Sequence, residues 1–248
     1  MHPQALAPET RRELLALTEK VEGWLTVEEG ELLYQLARAC KGKGVIVEIG
    51  SFKGKSTIWL AKGSLAGAGV RVFAIDPHTG SAEHQQDGQP VWTYDEFVVN
   101  LRHAGVEEVV TPLLTTSAEA AAEFDHPVEL LFIDGDHRYA AVRQDFDLWF
   151  PKLVEGGYLL MHDTIRWEGP RRVARESVYL SPHFCEVGFV HSITFGRKGG
   201  QEASSLLWRR RYLLLLHVVY DALSAVQAPP ALKRAAKALF RRLQGKPG

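Results

Sequence analysis

Cysteine is scarce in this chain of 248 residues: Cys40 and Cys185 stand far apart, and neither belongs to a CxxC pair. That excludes a thiolate zinc cluster and offers no disulfide framework, so a reducing cytoplasm is the expected compartment. Long hydrophobic runs are missing as well. The longest, Tyr212 to Val226, is broken by His217 and Asp221 and is too short to span a bilayer. The N-terminal Met1-His-Pro-Gln-Ala-Leu-Ala-Pro-Glu-Thr10 has neither the basic start nor the apolar centre of a signal peptide. Internal repeats and low-complexity tracts are absent, and so is any large net charge, the formal value being −1.

The charge balance hides an asymmetry. From Ala203 to Gly248 nine Lys or Arg face Asp221 alone, so this tail carries +8 and the remainder −9. Two helices separated by Ala228-Pro229-Pro230 are expected here. In the second, Leu232, Ala235, Ala236, Leu239, Phe240 and Leu243 share one face, and Lys233, Arg234, Lys237, Arg241 and Arg242 the other. Such a tail suits a surface contact. Self-packing or a homodimer is the first expectation and an anionic membrane surface the second. Nucleic acid is disfavoured, because stacking aromatics are sparse and no nucleic-acid motif accompanies the charge.

What is present is an alternation of strands and helices. Residues 9–40 read as two helices. The second opens with a capping box in which Thr26 caps and Glu29 reaches back, and this layer is expected to pack without doing chemistry. Strands are expected at 45–49, 70–75, 109–113, 129–133 and 158–161, each followed by a helical pattern, with a closing pair at 184–190 and 192–195. The fold class is therefore α/β, a doubly wound, Rossmann-like, mostly parallel seven-stranded sheet with helices on both faces. Three regions result: an N-terminal helical segment 1–43, the sheet domain 44–200, and basic amphipathic helices 201–248.

Ligands of such sheets sit at the carboxyl ends of the strands. The fourth strand stops at Asp134, followed by Gly135, Asp136 and His137, and the fifth at His162-Asp163. An acid and a histidine three residues apart could hold a metal and move a proton; the bland alternative is a helix cap beside an exposed histidine. The first turn, Gly50-Ser-Phe-Lys-Gly-Lys-Ser56, nearly spells a phosphate-binding loop but is one residue short of the spacing that wraps a phosphate. A P-loop phosphotransferase or hydrolase stays as the runner-up. An acid before the glycine turn, Glu48, and another at the next strand tip, Asp76, suit a nucleoside whose ribose hydroxyls Asp76 would accept. The long polar connection from His78 to Trp92 reads as a lid over a substrate. Trp24 and Trp167 are expected to pack, although Trp167 follows the fifth strand closely enough to touch a substrate. His103, His126, His183, His191 and His217 are expected at the surface or in packing.

With Val47-Glu-Ile-Gly-Ser-Phe-Lys-Gly-Lys-Ser-Thr57, Phe73-Ala-Ile-Asp76, Phe132-Ile-Asp-Gly-Asp-His137 and Gly156-Gly157 before His162-Asp163, the chain resembles class I S-adenosylmethionine-dependent methyltransferases from Trp24 to Lys198. It is most similar to a bacterial group that includes sugar and macrolide-type O-methyltransferases. The resemblance implies a small-molecule hydroxyl acceptor: a sugar, glycoside or other natural product. It implies that Glu48, Gly50, Ser51, Asp76 and Asp134 line the S-adenosyl-L-methionine site, with Ser117 and Ala118 bordering the adenine. His137 would be the general base and Asp134 its catalytic neighbour. Metal-using members hold a divalent cation, magnesium or manganese, at positions matching Asp134, His162 and Asp163. A histidine where those members have a carboxylate departs from the pattern and disfavours magnesium, which prefers oxygen ligands. A cofactor-binding module without catalysis is the alternative outside enzymes.

Overall fold

The computed structural model describes residues 6–80, 91–165, 167–200 and 204–225. Two helices come first, α1 (Pro8–Thr18) and α2 (Val27–Ala39). Alternation follows as β1 (Val45–Ile49), α3 (Lys55–Leu65), β2 (Val72–Ile75), α4 (Tyr94–Ala104), β3 (Val110–Leu113), α5 (Ser117–Glu123), β4 (Val128–Ile133), α6 (Tyr139–Trp149), β5 (Leu153–Met161) and α7 (Glu168–Ala174). The chain closes with β6 (Phe184–Val190), β7 (Ile193–Lys198) and α8 (Ser204–Ala225).

The seven strands form one sheet in the order β3-β2-β1-β4-β5-β7-β6. Pairs from β3 to β5 are parallel, and β7 runs antiparallel to both β5 and β6. The order reverses between β1 and β4, the switch point at which open α/β sheets bind ligands. β4 is buried along its whole length, as a central parallel strand must be. β5 starts five residues earlier than the sequence pattern suggests, because Leu153 already pairs with Val128 of β4, and Gly156 and Gly157 lie in the register shift before the ladder resumes at Tyr158.

Two cores cover the sheet. One face packs Leu32, Leu33, Trp59, Leu60 and Phe97 with Ile46, Val72 and Leu130 of the strands. The other packs Val142, Phe146, Trp149 and Val178 against Val47, Leu131 and Leu159. The N-terminal layer belongs to the first. α2 lies so close to α3 that a Cβ at Gly30 would collide with the indole of Trp59. α8 docks on the far edge through Leu213, Leu216 and Tyr220, beside Tyr179 and Phe189. Among the described residues, no helix is long and apolar enough to cross a membrane. Ten residues of the expected lid, 81–90, and the second tail helix lie outside the described residues.

Candidate active site

Two clusters meet at the carboxyl edge of the sheet. The first surrounds the β1 turn. The chain leaves β1 through Gly50 at φ +85°, where a Cβ would collide with the carbonyl oxygen of Asp134. Only glycine lets the β1 and β4 ends approach this closely. Asp76 Oδ2 accepts the backbone N–H groups of Ser51 (2.9 Å) and Phe52 (2.8 Å), and its Oδ1 that of His78 (2.6 Å). Two amides of the turn are thus spent on Asp76, and the phosphate-binding alternative loses the donors that it needs.

Glu48 is buried, with Thr57 Oγ1 donating to its Oε2 at 2.5 Å. Burial, reinforced by Asp134 and Asp76 and opposed by hydrogen bonds from Ser56 and Thr57, pushes its pKa up to about 8. Among the described residues its Oε1 and Ser51 Oγ are buried without a hydrogen-bond partner. Buried polar atoms are costly to leave unpaired, so both suit a polar ligand in this turn.

Farther along the edge, Thr116 rather than Ser117 caps α5, in a capping box with Glu119. Ser117 Oγ instead accepts the indole N–H of Trp149 at 2.9 Å. It also meets Asp145, an acid that the sequence did not single out. Burial raises the Asp145 pKa to about 6, against the hydrogen bond from Ser117. Ala118 is half-buried beside it.

The second cluster joins β4 and β5. His162 Nδ1 lies 3.0 Å from Asp134 Oδ1 and 3.3 Å from Asp163 Oδ2. His137 Nε2 lies 3.1 Å from the same Asp163 oxygen. Asp163 adopts φ +54°, a conformation that costs a non-glycine residue energy and recurs at functional sites. Asp136 turns away to bond the backbone N–H and guanidinium of Arg138. Thr164 also points elsewhere, its hydroxyl donating to Ser192 O.

Glu29 enters this cluster unexpectedly. Besides closing the α2 capping box, its Oε2 lies 3.6 Å from His162 Nε2. The sequence offered no signal for this, since the cap already accounted for the residue. Burial would raise the Glu29 pKa, but His162, Ser192 and Thr26 lower it to about 2. Burial likewise works against a charged His162, yet Asp134, Asp163 and Glu29 hold its pKa well above 6.5. Burial raises the Asp134 pKa despite His162. His137 and His162 outweigh the burial of Asp163 and depress its pKa strongly.

One donor atom from each of Asp134, His162 and Asp163 lies within 4.8 Å of the others. Donors bound to one ion at about 2.1 Å stand at most ~4.2 Å apart. A small adjustment would therefore admit a divalent cation, and the two-oxygen, one-nitrogen set fits one.

The tryptophans expected to pack do otherwise. Trp167 is 41% exposed and stacks on the His137 ring, centroids 4.3 Å apart. Trp24 is 68% exposed and leans on Phe52 of the β1 turn. His217, in contrast, is a packing residue beneath α8.

Comparison with known proteins agrees with this geometry. The family model of a methyltransferase domain matches residues 47–164. A catechol O-methyltransferase of Mycobacterium tuberculosis is 32% identical over 145 residues, 57% of this chain and 56% of that protein. The chain spans about half the length of two curated relatives that it matches and 13% of a third. Solved structures share the fold. The O-methyltransferase NovP is 17% identical with a TM-score of 0.58, over 70% of this chain and 80% of that one. An O-methyltransferase from Bacillus cereus in complex with SAH is 21% identical with a TM-score of 0.54, over 80% and 93%.

Proposed function

We infer that this chain, whose residues 47–164 match the model of a methyltransferase domain, is a class I S-adenosylmethionine-dependent enzyme that transfers a methyl group to a hydroxyl of a sugar, glycoside or other small natural product. The observation that carries the reading is the His137–Asp163 pair, 3.1 Å apart, beside the turn that holds Glu48, Gly50, Ser51 and Asp76. An alcohol is a poor nucleophile until it loses its proton, and a histidine is suited to take one near neutral pH. Asp163 accepts the Nε2 proton of His137, which leaves Nδ1 as the basic atom. The carboxylate also stabilises the imidazolium that forms, as acids behind catalytic histidines do. Trp167 covers one face of the ring and restricts its swing.

In this reading Asp76 accepts the ribose hydroxyls while keeping the turn closed through Ser51 and Phe52. Ser51 Oγ and Glu48 meet the polar end of the cofactor, and the Ser117–Ala118 backbone borders the adenine. The sulfonium supplies the reactive methyl group; the protein positions the acceptor and excludes water. A divalent ion bound by Asp134, His162 and Asp163 would lower the pKa of the acceptor hydroxyl. We extend the reading to a cytoplasmic homodimer formed through the C-terminal helices. α8 leaves Tyr212, Leu215, Val218 and Val219 exposed, which supports a contact there, and an anionic membrane surface is the rival partner.

Calorimetry with S-adenosylmethionine and with ATP tests the core of this proposal, followed by a screen of hydroxylic acceptors for S-adenosylhomocysteine release. Cofactor binding with turnover on at least one acceptor is expected. ATP binding without S-adenosylhomocysteine binding would sink it. Light scattering tests the dimer.

A further inference from the structure

We propose that Glu29 is a positioning residue for metal binding: it orients His162 as a nitrogen ligand and so tunes the site for manganese(II), iron(II) or zinc(II) over magnesium. The proposal rests on the reading of Asp134, His162 and Asp163 as a cation site.

The chain contains two capping boxes, and their comparison isolates what is unusual about Glu29. Thr116–Glu119 and Thr26–Glu29 make the same reciprocal hydrogen bonds. Glu119 does this while exposed, whereas Glu29 is 1% exposed. Capping therefore does not require a buried carboxylate, and burying one is costly. Both Glu29 oxygens are also fixed. Oε1 accepts the N–H (2.8 Å) and hydroxyl (2.6 Å) of Ser192, and Oε2 the N–H (2.8 Å) and hydroxyl (2.7 Å) of Thr26. These bonds hold Oε2 at 3.6 Å from His162 Nε2, a buried nitrogen with no hydrogen-bond partner among the described residues.

The imidazole is thus strung between one acid behind it and two in front, Asp134 and Asp163, which its Nδ1 faces. Metal-bound histidines are laid out in the same way, with the outer nitrogen donating to a carboxylate that sets the tautomer and makes the inner nitrogen more basic; a slight turn of the ring brings Nε2 from 3.6 Å into bonding distance of Glu29. Charge points the same way. Three carboxylates converge on His162, and a neutral imidazole with a divalent ion leaves −1, whereas an imidazolium alone leaves −2. A nitrogen donor among carboxylates favours manganese, iron or zinc, because magnesium keeps to oxygen ligands.

The test uses the full chain, stripped with a chelator. Manganese(II) binding is followed by electron paramagnetic resonance in wild type, E29Q, H162A and T26A, with S-adenosylhomocysteine affinity measured in parallel. One manganese per chain is expected in wild type, bound more tightly than magnesium. E29Q should weaken it by roughly 10–100-fold and H162A should abolish it. T26A, which keeps the Glu29 carboxylate and three of the four bonds that fix it, should bind nearly like wild type. Unchanged affinity in E29Q overturns the role of Glu29 and leaves the cation site standing. Absence of manganese, iron and zinc binding in wild type overturns both, while leaving methyl transfer untouched. If E29Q fails to fold, nuclear magnetic resonance of wild-type His162 decides. With zinc bound, the His162 Nε2–H should resonate downfield and exchange slowly, as a proton held by the Glu29 carboxylate does, and a freely exchanging Nε2–H refutes the proposal.

Discussion

His137 Nε2 and Asp163 Oδ2 lie 3.1 Å apart across the gap between β4 and β5, and the same Asp163 oxygen is 3.3 Å from His162 Nδ1. One carboxylate thereby links the proposed base to the proposed cation site. Replacing His137 by Ala should lower kcat by about 10²–10⁴-fold with cofactor affinity kept. D163N should lower kcat too and also weaken manganese binding. Steady-state rates with calorimetry separate the two, and unchanged transfer in H137A would remove His137 from the mechanism.

Gly50→Ala should be severe. The new methyl meets the Asp134 carbonyl oxygen, and φ +85° is strained for any residue with a Cβ. A stability loss of about 1–3 kcal/mol from the backbone alone is expected, with loss of cofactor binding. Thermal melting and S-adenosylhomocysteine titration read both. A wild-type melting temperature with full cofactor affinity would contradict the close β1–β4 contact.

The docking of α8 should depend on pH through His217. This residue is 2% exposed, with Nε2 3.2 Å from Thr164 Oγ1. Burial lowers its pKa to about 4, with Asp221 opposing and Arg171 assisting. The folded state therefore favours the neutral ring. Its contribution is fully present above the unfolded pKa near 6.5 and is lost as pH falls from there through 4. The loss is on the order of 3 kcal/mol. Between pH 7 and pH 4.5 wild type should lose more urea-unfolding free energy than H217Q does, and an equal loss in the two would refute it.

Trp167→Ala removes the ring stacked on His137. Aromatic pairs contribute about 0.5–1.5 kcal/mol beyond burial, so kcat/KM for the acceptor should fall roughly 2–12-fold. Because Trp167 is exposed, stability should hardly change. A large drop in melting temperature with unaltered kinetics would restore the packing role that the sequence suggested.

Much of the sheet edge was legible because its signals are local. Glu48, Gly50, Asp76, Asp134 and Asp163 each lie at the carboxyl end of a strand whose apolar run is visible by itself, and a parallel sheet collects those ends on one side. The relations between them were not legible. Asp76 reads as a ribose acceptor, but folding also gives it the Ser51 and Phe52 amides. Ser117 reads as an adenine neighbour, but Trp149 and Asp145 claim its hydroxyl.

The sequence by itself determined the strand–helix alternation, the Thr26–Glu29 capping box and the presence of acids and histidines at strand tips. These follow from side-chain periodicity and short-range hydrogen bonding, which act within a few residues. Tertiary structure decided which of those groups touch. The strand order places β4 beside β5, so Asp134, His162, Asp163 and His137 become one cluster. The packing of α2 against α3 and over the β6–β7 turn carries Glu29 to the back of His162. A cap satisfies the helix end without reference to the rest of the chain. Only the burial of that carboxylate, which no local pattern encodes, reveals its second contact.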